Sequence, residues 1–148
     1  MFIAILVLSS SPTRLGSTDA TPPATKPDSA IVRQLREIAA PLKTLDPGAP
    51  LDDLGDFERA VGRSRVIGLG EATHGTSEFF VLKHRLFRDL VEKKGFSVLA
   101  FEANVAEARD IEAYVTTGKW GSRLALKLVQ TPPWQTEEVL HLVEWMRA

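Results

Sequence analysis

The segment Val66–Thr76 reads Val-Ile-Gly-Leu-Gly-Glu-Ala-Thr-His-Gly-Thr, so an apolar run passes through two glycines into an acid and a base. Glu71 and His74 stand three residues apart, and a helical pattern begins directly after them. A carboxylate can fix the tautomer of a neighbouring imidazole, which makes the histidine an effective general base. We therefore interpret this segment as the centre of a candidate active site.

The pattern around this segment predicts a strand, a long helix and a second strand. Val66–Leu69 is a short apolar run that is typical of a buried strand. A helix is predicted over Glu78–Lys94, because apolar residues recur there at helical spacing and Lys93-Lys94-Gly95 is a strong stop signal. Ser97–Phe101 is the next predicted strand. This order is a βαβ unit, which predicts an α/β fold with a parallel sheet and flanking helices.

Parallel pairing would bring two carboxylates to the same edge of this sheet. Glu71 follows the first predicted strand, and Glu102 follows the second. Ligands of open parallel sheets bind beyond the carboxyl ends of the strands, and neighbouring strands lie about 5 Å apart. We therefore predict that Glu71, His74 and Glu102 converge on one site, where the histidine activates a water for hydrolysis.

Two other interpretations of these three residues stay open. The same side chains offer the oxygen and nitrogen ligands of a hydrolytic divalent-metal site. Alternatively, Glu71 caps the helix, His74 bonds to the backbone and Glu102 pairs with a lysine, and the three then form no site.

Other titratable side chains on the predicted helices are assigned structural roles. His84 lies within the long helix and His141 on the last helix, and neither belongs to the predicted site. Lys83 and Arg85 follow the site along the long helix and could reach an anionic group. A solvated helix face is the favoured interpretation of these two cations.

Composition and charge exclude several classes of partner. The net charge of −1 and the lack of a basic run predict no binding to nucleic acid. No cysteine is present, which excludes a thiolate nucleophile and a zinc–cysteine site. The apolar run Phe2–Leu8 is too short to cross a bilayer, which takes about 20 residues, so stable membrane insertion is not expected. It resembles the hydrophobic part of a secretory signal without the preceding cations, which slightly favours a periplasmic over a cytoplasmic location.

The chain divides into a predicted signal-like or disordered leader, residues 1–27, and a predicted folded part, residues 28–148. Residues 31–38 are predicted to form a first packing helix. The last helix begins at Thr136 and is still periodic at the end of the sequence, and two strands do not complete a parallel sheet. This pattern favours the incomplete front portion of a larger domain, with a non-catalytic fragment or binding module as the alternative.

Several motifs along the chain belong together. They are Gly-Leu-Gly-Glu-Ala-Thr-His-Gly-Thr-Ser-Glu-Phe-Phe at 68–80, Leu-Lys-His-Arg at 82–85, Phe-Glu-Ala-Asn at 101–104, Tyr-Val-x-x-Gly at 114–118, Trp-Gln-Thr-Glu-Glu at 134–138 and Glu-Trp-Met-Arg at 144–147. In these motifs the chain resembles the erythromycin esterase family, from roughly residue 31 to the end.

The resemblance implies an α/β hydrolytic domain that opens macrolide lactones with an activated water, and hence a role in antibiotic resistance. It implies His74 as the general base, Glu71 and Glu102 as two essential glutamates, and Lys83 at the position of a family arginine that binds substrate. Lysine keeps the charge of that arginine and loses its bidentate geometry. The implied partner is a small-molecule ester or lactone. No cofactor is required by this interpretation, although the use of a divalent metal differs across the family.

The family also has a second histidine region in its later part. Neither His84 nor His141 matches that region by motif, so we predict little or no activity for these residues alone. The sequence does not specify an oligomeric state.

Overall fold

The computed structural model describes residues 2–3 and 29–148, and this part of the chain is mainly helical. The helices are α1 (Ser29–Ile38), α2 (Gly55–Val61), α3 (Ser77–Lys94), α4 (Val105–Thr117), α5 (Ser122–Lys127) and α6 (Glu137–Arg147), with a 3-10 turn at Pro132–Trp134. Two short strands, β1 (Phe2–Ile3) and β2 (Val98–Leu99), pair in parallel. The predictions of the long helix and of the last helix are confirmed to within a residue.

The predicted α/β fold with a parallel sheet and a βαβ unit is wrong for the described residues. Val66–Leu69 adopts no strand conformation, and Val66 is 87% exposed. The second predicted strand is reduced to Val98–Leu99, whose partner is Phe2–Ile3. A strand needs a neighbour for its backbone hydrogen bonds, and the described residues give Val66–Leu69 none. Sheet topology therefore does not bring the two predicted glutamates to one edge.

Helix α1 contributes little to the core. Phe2–Ile3 falls inside the predicted leader 1–27, and the rest of that leader lies outside the described residues. The prediction that α1 is a packing helix is wrong, because its apolar residues Ile31, Leu35 and Ile38 are exposed. Among the described helices, none has the length and hydropathy needed to cross a bilayer.

The core lies between α3, α4 and α6, and α5 packs against the latter two. The apolar residues of each helix recur at helical spacing, so one face of each helix is buried. The buried cluster comprises Phe80, Phe87, Phe101, Ile111, Val115, Leu126, Val129, Trp134, Val139, Leu140, Leu142, Val143 and Met146. Fully burying a side chain of this size contributes roughly 1.5–3 kcal/mol. This cluster fixes α3 and α6 against each other, and the candidate site lies at the start of α3.

A second part of α3 binds an irregular segment, residues 43–54, through a buried cation. Arg85 is 0% exposed and forms a two-pronged ion pair with Asp53. The same guanidinium donates to the carbonyl oxygen of Pro50 at 2.6 Å. Hydrogen bonding from Arg85 lowers the pKa of Asp53 to about 2. The expectation that Arg85 lies on a solvated face is therefore wrong.

Two further cations of α3 extend this attachment. Arg88 donates to the carbonyl oxygens of Pro47 and Ala49 at 2.7 and 3.0 Å. Lys93 donates to the carbonyl oxygen of Leu51 at 3.1 Å. Because these charged donors satisfy backbone carbonyls, residues 43–54 are held in place without regular secondary structure.

The end of α4 is closed by a contact between Gly118 and α6. Gly118 has φ 77°, in the left-handed region that favours glycine. Arg147 of α6 donates to the carbonyl oxygens of Tyr114 and Val115 at 3.1 and 3.3 Å. A Cβ at Gly118 would stand 2.7 Å from the Arg147 guanidinium. The arginine therefore takes the space that a side chain at position 118 would need.

Candidate active site

The segment before α3 brings an acid, a base and a cation into contact. The Oε1 atom of Glu71 lies 3.1 Å from Nδ1 of His74. The other carboxylate oxygen of Glu71 forms an ion pair with Nζ of Lys83. The Glu71 side chain is 11% exposed, whereas that of His74 is 60% exposed. The structure thus places a largely buried carboxylate behind an imidazole that faces solvent.

Lys83 reaches this carboxylate from within α3. Helical side chains point towards the N-terminus of their helix, which directs Lys83 back to the segment that carries Glu71. Its Nζ atom lies 5.7 Å from the centre of the Phe80 ring. Burial lowers the pKa of Lys83 below its usual value. The solvated-face interpretation is therefore wrong for Lys83 as well, since its ammonium is mostly buried against Glu71.

The turn between Glu71 and α3 is held by hydroxyl groups. The Oγ1 atoms of Thr73 and Thr76 lie 2.5 Å apart, on either side of His74. Thr76 precedes the helix in an extended conformation, and its side chain makes no capping bond to the α3 backbone. Ser77, the first residue of α3, donates its hydroxyl to Glu138 of α6 at 2.5 Å. The start of α3 is therefore fixed by a contact with another helix.

Glu102 is not in contact with this group. Its side chain is exposed, and within the described part of the chain its carboxylate makes no hydrogen bond or ion pair. Its backbone carbonyl accepts a hydrogen bond from Nε1 of Trp134 at 2.9 Å. The structure thus joins Glu71, His74 and Lys83 directly, while the role of Glu102 in the site stays a prediction.

The remaining histidines have structural surroundings. His84 is buried in α3, with its ring centre 5.5 Å from that of Trp145, and its Nε2 atom has no hydrogen-bond partner. Burial, with the positive charges of His141 and Arg88, lowers the pKa of His84 to about 4. His141 is exposed on α6. Neither histidine contacts Glu71 or His74 among the interactions of the described residues.

The donor set at Glu71 does not fit a metal site. Across residues 2–3 and 29–148, no group of three or more acidic or imidazole side chains is close enough together to hold a metal ion. Lys83 places a positive charge directly on the Glu71 carboxylate, which opposes the binding of a cation. The residues described here therefore support a site based on the histidine and its carboxylate.

Two contacts near the candidate site are not predicted from the sequence. Ser77 binds Glu138, and Trp134 binds the backbone of Glu102. Trp134 and Glu138 both lie in the Trp-Gln-Thr-Glu-Glu motif at 134–138, to which the sequence alone assigns no role. The motif was the available signal, but contacts across 61 and 32 residues of sequence follow from the fold and not from local pattern.

One family model and several individual proteins match this chain. Residues 91–148 match the model of the family described as erythromycin esterase. Erythromycin esterase type II of Escherichia coli is 37% identical over 75 residues, which cover 51% of this chain and 18% of that protein. YbfO of Bacillus subtilis is 30% identical over 95 residues, which cover 64% of this chain and 21% of that protein.

Two solved structures share this fold. A succinoglycan biosynthesis protein matches with a TM-score of 0.74 and 34% identity, over 80% of this chain and 29% of that one. A Bacillus cereus protein matches with a TM-score of 0.74 and 41% identity, over 80% of this chain and 28% of that one. The chain therefore spans about a fifth of the curated relatives and under a third of the solved ones.

Proposed function

We propose that this chain, which belongs to the erythromycin esterase family of hydrolases, carries the part of an active site that activates water for the hydrolysis of a carboxylic ester. His74 is the general base, Glu71 orients it, and Glu102 is the second acid of the site. The substrate is a lactone or related ester, and a macrolide is the candidate that the family suggests.

The observation that carries this proposal is the pairing of Glu71 with Nδ1 of His74 at 3.1 Å. A carboxylate at Nδ1 stabilises the tautomer in which Nδ1 carries the proton, so the lone pair of Nε2 is free. Because the His74 ring is mostly exposed, Nε2 is accessible to a water and to a substrate. Once Nε2 has accepted a proton, Glu71 stabilises the resulting imidazolium.

In the proposed reaction His74 acts first as a base and then as an acid. His74 removes a proton from water as the water oxygen bonds to the ester carbonyl carbon. The tetrahedral intermediate then expels the alkoxide by breaking its acyl–oxygen bond, and the imidazolium returns the proton to that alkoxide. The products are a carboxylic acid and an alcohol, and in a lactone both remain on the one opened molecule.

Lys83 supports the site through Glu71. Its ammonium contacts the carboxylate oxygen that His74 does not use, and so places a positive charge beside Glu71. The family's substrate-binding arginine at this position suggests that Lys83 also faces the substrate. A single ammonium cannot bind two oxygens in the bidentate manner of a guanidinium, so we propose that Lys83 binds the substrate more weakly than an arginine would.

The test is hydrolysis of p-nitrophenyl esters and of a macrolide lactone by the full-length gene product, with ring opening followed by mass spectrometry. We expect His74→Ala to lower turnover at least a hundredfold, because general-base catalysis contributes about 10²–10⁴-fold. His141→Ala is the matched control, since it removes an exposed histidine on α6 and should leave turnover unchanged. Equal rates for the wild type and His74→Ala would remove the assignment.

The same assay separates the role of this chain from that of the whole protein. We expect the 148 residues alone to show little or no turnover, because they span about a fifth of the length of their curated relatives. Turnover by the short chain at the rate of the full-length product would show that residues 1–148 hold the complete site.

A further inference from the structure

The segment Trp134–Glu138 contacts both parts of the chain that carry candidate site residues. We propose that it is a positioning element, which holds Glu102 in a fixed relation to the Glu71–His74 pair. Trp134 and Glu138 are then positioning residues of the hydrolytic site. This inference rests on the proposed function for its catalytic consequence, while the mechanical coupling can be tested without it.

Trp134 joins the segment to Glu102. The indole Nε1 donates to the backbone carbonyl of Glu102 at 2.9 Å, and the ring is 7% exposed. Its ring meets Phe101 at 5.4 Å and Phe80 at 5.8 Å between centres, both in edge-to-face geometry. A buried indole N–H needs an acceptor, so this bond fixes the direction of the Glu102 backbone as well as its distance.

Glu138 joins the segment to the start of α3. Its carboxylate accepts the hydroxyl of Ser77 at 2.5 Å, three residues after His74. This hydrogen bond is the largest influence that lowers the pKa of Glu138, so the carboxylate is ionised at neutral pH and is a strong acceptor. The contact therefore fixes the helix end from which the His74 turn begins.

The segment between these two contacts is itself held in one conformation. Gln135 donates its side-chain amide to the carbonyl oxygen of Val129. Thr136 caps α6 by accepting a hydrogen bond from the backbone N–H of Val139 at 3.3 Å. Trp134 closes the 3-10 turn on one side and Glu138 lies in the first turn of α6 on the other. Movement at one contact is therefore transmitted to the other.

Hydrogen exchange on this chain tests the coupling. Trp134→Phe keeps the ring contacts and deletes the indole N–H, whereas Glu138→Ala deletes the acceptor for Ser77. We expect each variant to raise backbone exchange about fivefold in both residues 71–77 and residues 101–104, because each deletes one hydrogen bond that fixes the segment. Glu138→Gln keeps an acceptor oxygen and should restore exchange to within about twofold of the wild type.

Matched controls come from α6, outside the segment. Trp145→Phe changes a tryptophan that packs on Phe87 and His84, and Glu144→Ala deletes the acceptor for the exposed hydroxyl of Ser122. Neither control should alter exchange in residues 71–77 or 101–104. If Trp134→Phe affects only residues 101–104 and Glu138→Ala only residues 71–77, the contacts are local and the proposal is overturned.

Kinetics of the full-length product test the catalytic consequence. A positioning role predicts that Trp134→Phe lowers kcat about tenfold with KM unchanged, because misplacement affects the reacting geometry more than substrate binding. An unchanged kcat in an active enzyme would overturn the positioning role. If the wild type hydrolyses no ester at all, the proposed function fails, and the exchange experiment still decides whether Trp134–Glu138 couples the two segments.

Discussion

Two irregular segments lie against α3, and they are held in opposite ways. Residues 43–54 bury Leu51 and Leu54 and are bound by three cations of the helix through a carboxylate and several backbone carbonyls. Residues 64–76 leave Val66 and His74 exposed, and their ion pair with the helix is that of Glu71 with Lys83. The same helix therefore anchors one segment for stability and presents the other to solvent.

The helix thus contributes to folding through its contacts with residues 43–54, and to the proposed chemistry through its contact with residues 64–76. Arg85 is fully buried, and its charge is bound to Asp53 and to a backbone carbonyl, so it is not accessible to a ligand. A carboxylate bound on one side to a lysine and on the other to an exposed imidazole leaves one ring nitrogen available. We therefore expect substitutions in the first group to lower stability, and substitution of the exposed His74 in the second to lower activity with little loss of stability.

The largest expected effect is on the anchored side. Arg85→Ala leaves the Asp53 carboxylate, whose side chain is 4% exposed, without its cation. Breaking a buried pair from one side costs about 3 kcal/mol or more in unfolding free energy, which urea denaturation measures. Arg59→Ala removes an exposed pair with Asp56 and should cost under about 1 kcal/mol. Equal losses in the two variants would contradict the comparison.

On the exposed side, the residue most important for stability is Lys83. Lys83→Met leaves the mostly buried Glu71 carboxylate with only the His74 ring as a partner, and we expect a loss of about 2 kcal/mol. Lys83→Arg keeps the positive charge and should recover most of that loss. The same denaturation series measures both variants, and a Lys83→Met chain as stable as the wild type would show that the ion pair is not formed in solution.

Acid should weaken the packing of α3 on α6 before it releases residues 43–54. The native pKa of His84, about 4, lies below its ordinary value of 6.5, so its contribution to stability is complete above pH 6.5 and is lost as the pH falls towards 4. Asp53, with a native pKa of about 2, loses its contribution only below about pH 4.

His84→Leu isolates this titration. We expect it to remove on the order of 2 kcal/mol of the pH dependence of unfolding between pH 6.5 and 4, as thermal or urea unfolding at several pH values would measure. His141→Ala tests a second cause, because His141 also lowers the pKa of His84, and it should reduce the slope by less than His84→Leu does. If the slope survives in His84→Leu, another group titrates in this range.

The smallest expected effect on stability is at the proposed base, His74. His74 is 60% exposed, so His74→Ala should change the unfolding free energy by less than about 0.5 kcal/mol while abolishing the proposed turnover. Thermal unfolding beside the ester assay separates the two readouts. A large loss of stability in this variant would mean that residues 64–76 are anchored as firmly as residues 43–54.

Local pattern predicted the helices well and the sheet poorly, for a physical reason. Helix α3 is specified by its own apolar spacing and its glycine stop, and α6 by its Thr136 cap. A strand depends on a partner elsewhere in the chain, and the apolar run Val66–Leu69 has none among the described residues. For the same reason, no pair of strands joins Glu71 to Glu102 among the described residues.

The sequence predicts only those contacts of the candidate site that join residues close together in the chain. Glu71 and His74 are close in sequence, and their contact was expected from spacing alone. The burial of Arg85 was missed because Asp53 lies 32 residues away and its position depends on the path of residues 43–54. The family resemblance predicts that Lys83 binds the substrate. Its contact with Glu71 depends on the helix geometry, which directs the side chain back towards that residue.

The contact between Gly118 and Arg147 has an evolutionary consequence. Because the guanidinium fills the volume where a Cβ would project, and also closes the end of α4, neither position can change freely while the other stays the same. In a library randomised at both sites, selection for folded protein should retain glycine wherever arginine is kept. Any side chain at 118 also meets the strain of a positive φ, so larger residues there should survive rarely, and mainly beside short residues at 147. The two positions thus form an epistatic pair that links helices far apart in sequence.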